Sequence, residues 1–465
     1  MKSAIALFIL SLFFLYSCIS YTDYYGSSDP GLIPADNASR FQDVSPYRTG
    51  TPAGRASSVP NPINNDVFSS PSGNLRTLVE WLVADEPDDF HKVKIIHDWI
   101  ALTIFYDDVA YGTGRIPDQS AASVLKNKKG VCEGYANLFT EMCLLAGLEC
   151  VKVTGYCRQY LSDPKVKEVI ETNHAWNCVR VKGAWYLVDV TWDAGSLDGD
   201  GNYYQRYDTN YLFIPPEGMI YTHFPSQSAF QLLNPPVFRK DFLDLPLLTG
   251  EYYMVFDGPP AGISKNNTVE DSAQIVLPPH SDEYIVGASI MSDAEYEQLF
   301  TKGSVSTFHA NCVHVDRQPG KTVVSIYFPE KGNWHVTLNA MKKKNRENLK
   351  EVKREDDTYV LHGLDNIQVA DFFFRVEKAS EEEFPHIGFR EIIDYSLHEP
   401  LDNPLKVGEK VRFSFTVEGR TEAKISAYNY DPVKVVNHYV DEIKLQSETG
   451  IFETDMTVPE CNKIT

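Results

Sequence analysis

Positive charge is in short supply along this chain. Its 465 residues carry 43 Lys and Arg against 64 Asp and Glu, a formal net charge of -21. Nucleic acid is therefore not an expected partner, because phosphate binding needs a basic face. The one dense basic run, Lys342-Lys343-Lys344 with Arg346, lies beside acidic residues and reads as a solvated turn. Cysteine is sparse too: eight residues, with no CxxC pair, and HExxH is missing as well. Structural zinc and a zinc-hydrolase helix are not expected. Cys143, Cys150 and Cys157 are seven apart, but they straddle a helix end and a strand and do not form one ligand face. No Gly-rich phosphate loop occurs, and neither a metal nor a cofactor is called for. After the N-terminus no apolar run is long enough to cross a bilayer. At 43% hydrophobic and 23% charged, what remains is an ordinary globular composition, and its length suits two to four domains.

The N-terminus departs from that background. Lys2 precedes A-I-A-L-F-I-L-S-L-F-F-L-Y, which ends in Leu15-Tyr16-Ser17-Cys18. The run is short for a membrane span and suits a secretory h-region. Its end resembles a bacterial lipobox, in which a cysteine becomes lipidated and N-terminal. Residues 1–18 are thus expected to be a signal peptide, with Cys18 lipidated and the body exported to a bacterial cell envelope. Residues 19–73, rich in Ser, Pro, Gly, Asn and Asp, read as a flexible tether.

From Leu75 the spacing becomes helical, in L-R-T-L-V-E-W-L-V and again in H-K-V-K-I-I-H-D-W-I-A-L-T-I. Asp118-Gln119-Ser120 opens a further short helix. In G-V-C-E-G-Y-A-N-L-F-T-E-M-C-L-L-A-G, Tyr135, Leu138, Phe139, Met142 and Leu145 fall on one helical face, and Gly147 suits the C-cap. Cys132 therefore sits in the first turn of a buried helix. Cys150 to Gly155 reads as a strand. His174 to Val181 and Ala184 to Trp192 read as two strands flanking a Lys182-Gly183 turn. Beyond Leu247 the texture is all-β. Two sandwich-like modules are expected, 248–380 and 385–465, after a first domain over 74–247.

Thiol chemistry requires a thiolate, a base and a group that orients the base. A helix N-terminus stabilises an anion through its unpaired N–H groups, which recommends Cys132. Centring the hairpin on Lys182-Gly183 opposes His174 to Thr191 and Trp176 to Asp189. His174 and Asp189 then share a face as diagonal neighbours, about 7–8 Å apart at the backbone. A carboxylate there fixes the imidazole tautomer and stabilises its cation. Singly, each residue has a plainer explanation: a cysteine inside an apolar helix is often core, and a lone strand histidine is usually structural. Asp189 inside W-Y-L-V-D-V-T-W is harder to dismiss, because a carboxylate in a buried strand needs a partner. Tyr106, Tyr111 and Gln119 lie upstream as candidates for a second oxyanion donor beside the Cys132 N–H. His97 reads as core, and Cys178 as packing or half of a disulfide.

These blocks also carry a resemblance. G-V-C-E-G-Y-A-N-L-F, N-H-A-W-N-C-V and W-Y-L-V-D-V-T-W-D resemble the core of the transglutaminase-like cysteine-protease superfamily. I-I-H-D-W-I-A-L-T-I-F-Y-D and T-H-F-P-S-Q-S-A-F-Q-L-L are similar to its kyphoscoliosis-peptidase branch. The resemblance implies an α+β papain/transglutaminase-like catalytic domain, with Cys132 as nucleophile, His174 as base and Asp189 as orienting acid. It implies two all-β immunoglobulin-like modules behind that domain. The expected activity is acyl transfer on a protein or peptide substrate, hydrolysis or deamidation ahead of cross-linking. The expected partners are that substrate and a membrane held through the lipid on Cys18. The rival expectations are an inactive binding scaffold and a disulfide-stabilised receptor module in which Cys132 is oxidised.

Overall fold

A computed structural model describes residues 37–57, 71–158, 171–197, 201–264 and, in shorter runs, residues between 266 and 464. The expected signal peptide and Cys18 lie outside the described residues. The chain divides into two compact units, Met1–Leu245 and Pro246–Thr465.

In the first unit, helices pack on a five-stranded sheet. The helices are α1 (Gly54–Ser57), α2 (Pro71–Leu82), α3 (Asp89–Thr103), α4 (Asp108–Thr113), α5 (Ala121–Asn127), α6 (Cys132–Leu145), α7 (Val190–Ala194), α8 (Pro216–Met219) and α9 (Arg239–Asp244). The strands are β1 (Phe105–Tyr106), β2 (Lys129–Gly130), β3 (Glu149–Cys157), β4 (His174–Val181), β5 (Ala184–Val188), β6 (Gly195–Leu197), β7 (Tyr203–Gln205), β8 (Leu212–Ile214) and β9 (His223–Pro225). The main sheet runs β8-β5-β4-β3-β9, antiparallel throughout. Central β4 is buried along nearly its whole length.

Helix α6 forms where the apolar spacing places it. Leu138, Phe139 and Met142 are fully buried, each contributing about 1.5–3 kcal/mol through burial. Gly147, at φ 79°, ends it in the left-handed region open to glycine. Its start is held by close packing against α5. A Cβ on Gly134 would lie 2.4 Å from the Gln119 Oε1 and 2.8 Å from a Val124 methyl, so only glycine fits. The buried Asn177 amide of β4 fixes α6 on the sheet by donating to the Ala136 carbonyl (3.1 Å) and the Thr140 hydroxyl (2.8 Å).

The β4–β5 turn has positive φ at both Lys182 (48°) and Gly183 (88°), as a two-residue hairpin turn requires. The register opposes Asn177 to Val188 and Cys178 to Leu187, in the phase that sequence reading gives. The second strand is shorter than expected. It ends at Val188, and Asp189 caps α7 by accepting from the N–H groups of Thr191 (2.9 Å) and Trp192 (3.2 Å). Thr191 is therefore a helical residue and not a strand partner of His174.

Residues 37–57 correct the tether expectation. They form short helical turns packed on the first unit. The Asn37 side chain donates to the Trp185 carbonyl (3.1 Å) and accepts from its N–H (2.7 Å). Tyr47 stacks on Phe90 with ring centroids 5.4 Å apart, and Ala53 and Ala56 enter the core. Polar pairing anchors this segment, which composition alone does not reveal.

The second unit is rich in β-sheet. Leu247–Leu248, Ile367–Val376, Gly332–Lys342 and Tyr284–Ser292 form one sheet in that order, with Asn266–Val269 paired to Ile367–Val376. Ser272–Leu277, Lys321–Tyr327 and Val313–Gln318 form another. The described strands after Tyr395 lie in separate three-stranded sheets. Among the described residues no helix is long and apolar enough to cross a membrane.

Candidate active site

Three elements converge on His174. It opens β4, opposite Gly155 of β3, where a Cβ would meet the Trp176 ring at 2.6 Å and the Phe224 carbonyl at 2.4 Å. Glycine there lets β9 and Trp176 close on the histidine. The His174 Nε2 lies 2.6 Å from the Asp189 Oδ2. That leaves the ring's Nδ1 outside the carboxylate contact, and Cys132 is near enough to favour a proton on the ring. Cys132 is half-buried at the mouth of α6. The Val131 carbonyl accepts from Gly134 and Tyr135, so the N–H groups of Cys132 and Glu133 have no intrahelical acceptor.

Burial alone would depress the His174 imidazole. Cys157, Asp189 and Cys132 outweigh it and raise the ring well above the ordinary histidine range. Burial also opposes ionisation of Asp189, but His174 and His223 reverse this and hold the carboxyl well below the usual carboxylate range. The result is a buried anion sharing its charge with the ring beside it.

Two members of the site were not assigned from sequence. His223, on β9, lies 3.1 Å by its Nε2 from the same Asp189 Oδ2, and its Nδ1 is 2.8 Å from the Thr222 hydroxyl. Burial lowers it to about 4, so the neutral ring donates from Nε2 and accepts from Thr222. Its only sequence signal is T-H-F-P, inside a segment read as loop-rich. Cys157 ends β3 opposite His223, two residues from Gly155, and so shares the face of both histidines. Burial pushes its thiol up to about 12.

The upstream oxyanion candidates divide. Gln119 braces the mouth of α6: its Oε1 accepts from the Val131 N–H (2.9 Å) and its Nε2 donates to the Pro117 carbonyl (3.0 Å). Tyr106 lies near enough to Cys132 to sense its charge, and burial raises the phenol well above its usual range. Tyr111 touches the Tyr106 ring, with centroids 5.7 Å apart.

The donor atoms of His174, Asp189 and His223 lie within 4.8 Å of one another, close enough to converge on an ion. Each contact is also satisfied by a proton, because one carboxylate oxygen accepts from both rings. Among the described residues neither Cys132 nor Cys178 forms a disulfide, which corrects the disulfide readings of both.

The sequence profile of the transglutaminase-like superfamily matches residues 76–190, a span holding Cys132, His174 and Asp189. The segment is a transglutaminase-like domain. The kyphoscoliosis peptidases of Mus musculus and Homo sapiens are 33% and 32% identical to this chain, over 38% and 40% of its length. Hillarin of Drosophila melanogaster is 30% identical over 38%. These likenesses put the domain in the kyphoscoliosis-peptidase branch. The chain spans only 27%, 29% and 23% of those three relatives, respectively. His223 lies beyond the profile match.

Proposed function

We propose that the transglutaminase-like domain is a cysteine acyltransferase acting on protein or peptide amides. One observation carries the reading: a half-buried thiol at a helix mouth and an anionic carboxylate act on the same imidazole, the carboxylate at 2.6 Å. His174 takes the Cys132 proton at Nδ1, and the sulfur attacks the amide carbonyl carbon. The Cys132 N–H faces the developing oxyanion. The C–N bond breaks, the amine leaves with the proton from His174, and a thioester remains. Water then attacks the thioester, giving its proton to His174, and releases a carboxylic acid and the thiol. Hydrolysis or deamidation results. An amine in place of water gives cross-linking. Asp189 holds the Nε2–H of His174 through these steps, and His223 holds Asp189.

On the same reading the chain is exported and anchored to a bacterial envelope by lipid on Cys18, with the β-rich unit as immunoglobulin-like modules. A peptide-library digest with wild type and Cys132→Ala, scored for cleavage and amine incorporation, tests the chemistry. Turnover present in wild type and lost in the variant is expected. No turnover, or turnover that survives Cys132→Ala, would sink the enzyme reading.

A further inference from the structure

A second feature lies upstream of the thiol on the same chain segment. A cavity of about 370 Å³ opens between β1, β2 and β7. Phe105, Tyr106 and Tyr203 wall it, with Phe105 and Tyr203 edge to face at 6.4 Å. Two lysines and an aspartate supply its charge. Lys129 is committed, 3.0 Å from Asp107 and 3.6 Å from Asp108. Lys128 is not: among the described residues no carboxylate pairs with it.

The chain holds Lys128 in place at some cost. It occupies φ 54° at the end of α5, a region non-glycine residues seldom adopt. Its carbonyl accepts from the Phe105 N–H (2.9 Å), and its ammonium lies 4.8 Å over the Trp99 ring. Burial lowers that ammonium to about 8, as follows when a cation is half-desolvated without an anion beside it. One cavity wall leads toward the thiol: Tyr106 pairs with Gly130 and senses Cys132. Lys128 and Cys132 lie four positions apart, a backbone reach of at most about 14 Å. An extended peptide covers that in about four residues.

We propose that this cavity is a substrate subsite that takes a carboxylate of the bound peptide, within about four residues of the reacting amide, on the Lys128 ammonium between aromatic walls. Placing it along a substrate rests on the acyl-transfer reading, but binding there does not need chemistry. The test is therefore made on full-length Cys132→Ala, which cannot turn over. An array of N-acetylated, C-amidated peptides is probed, each Glu peptide beside its Gln counterpart. A second set lacks Glu and Asp and ends in a free carboxylate. The expected result is about tenfold preference for carboxylate peptides, with the two sets telling side-chain from terminal carboxylate. Adding Lys128→Met keeps the stem over Trp99 and should flatten that preference. Lys128→Glu should turn it toward Lys peptides. No preference for carboxylates, or the same preference with and without Lys128, would overturn the subsite. Lys128-dependent binding by a protein whose wild type turns over no peptide would sink the acyl-transfer reading and leave the subsite standing.

Discussion

Two buried clusters share one short helix and differ in their arithmetic. Asp189 caps α7, and Asp193 lies four residues further along it. Around Asp189, one carboxylate serves two imidazoles. Around Asp193, one imidazole serves two carboxylates. The His97 Nε2 is 3.0 Å from Asp193 and its Nδ1 is 2.9 Å from Asp98. Asp98 also meets Lys94 (2.8 Å), the Tyr207 hydroxyl (2.7 Å) and the Ala53 N–H (2.7 Å). Both ring nitrogens of His97 are occupied and the residue is fully buried. His174 keeps one nitrogen with no carboxylate on it. The comparison teaches that a buried histidine becomes chemically useful through a nitrogen left over, while a histidine with none left over binds elements together.

The sharpest way to break this contrast is Asp189→Asn. The amide still accepts from the α7 backbone but cannot take N–H donors from both rings. Turnover should fall about 10³–10⁴-fold, as when a triad loses the carboxylate that sets its tautomer. Steady-state kinetics on whatever substrate the library yields would measure it. His97→Leu should act the other way round. It leaves Asp98 and Asp193 buried and short of a partner, a loss of about 3–5 kcal/mol read by urea unfolding, while thiol reactivity per folded molecule stays near wild type.

The pH dependence separates His97 from His223 by sign. His97 is raised to about 9 despite its burial, through Asp193 and Asp98. The folded state therefore holds its proton more tightly, and that stability is full below about 6.5 and lost as pH rises through about 9. His223 is lowered to about 4 by burial. The unfolded state binds that proton first, so stability falls as pH drops from about 6.5 toward 4. Each of these two contributions is worth on the order of 3 kcal/mol, and unfolding midpoints across pH should decline on both sides, with His97→Leu weakening the alkaline limb, to which the raised His174 also contributes, and leaving the acid limb in place. The smallest effect is expected of His223→Gln. A glutamine amide can still donate to Asp189, so reactivity should change less than about tenfold, whereas His223→Leu should lower it by about 10–100-fold.

The hairpin was legible because a two-residue turn with glycine fixes both register and face. That brought His174 and Asp189 into view from fifteen residues apart. The end of β5 was not legible. W-Y-L-V-D-V-T-W is apolar throughout, and no periodicity marks where a strand gives way to a capped helix. His223 was hidden for another reason. It meets Asp189 from 34 residues away, through a strand of three residues, too short for any pattern. His97 read as core because its helix is apolar on most sides. That its burial is ionic depends on Asp193, 96 residues on. The anchoring of 37–57 was equally invisible, since it rests on the Asn37 side chain and a Tyr47 ring and not on an apolar run.

The spare nitrogen of His174 is tested most directly by competitive iodoacetamide labelling at about pH 6–7, with each cysteine quantified by mass-mapped peptides. Cys132 should label well ahead of Cys157 and the buried thiols, and that lead should collapse in His174→Ala but survive in His97→Leu corrected for folded fraction. Cys132 labelling at the pace of the other thiols, or a lead unchanged in His174→Ala, would contradict it.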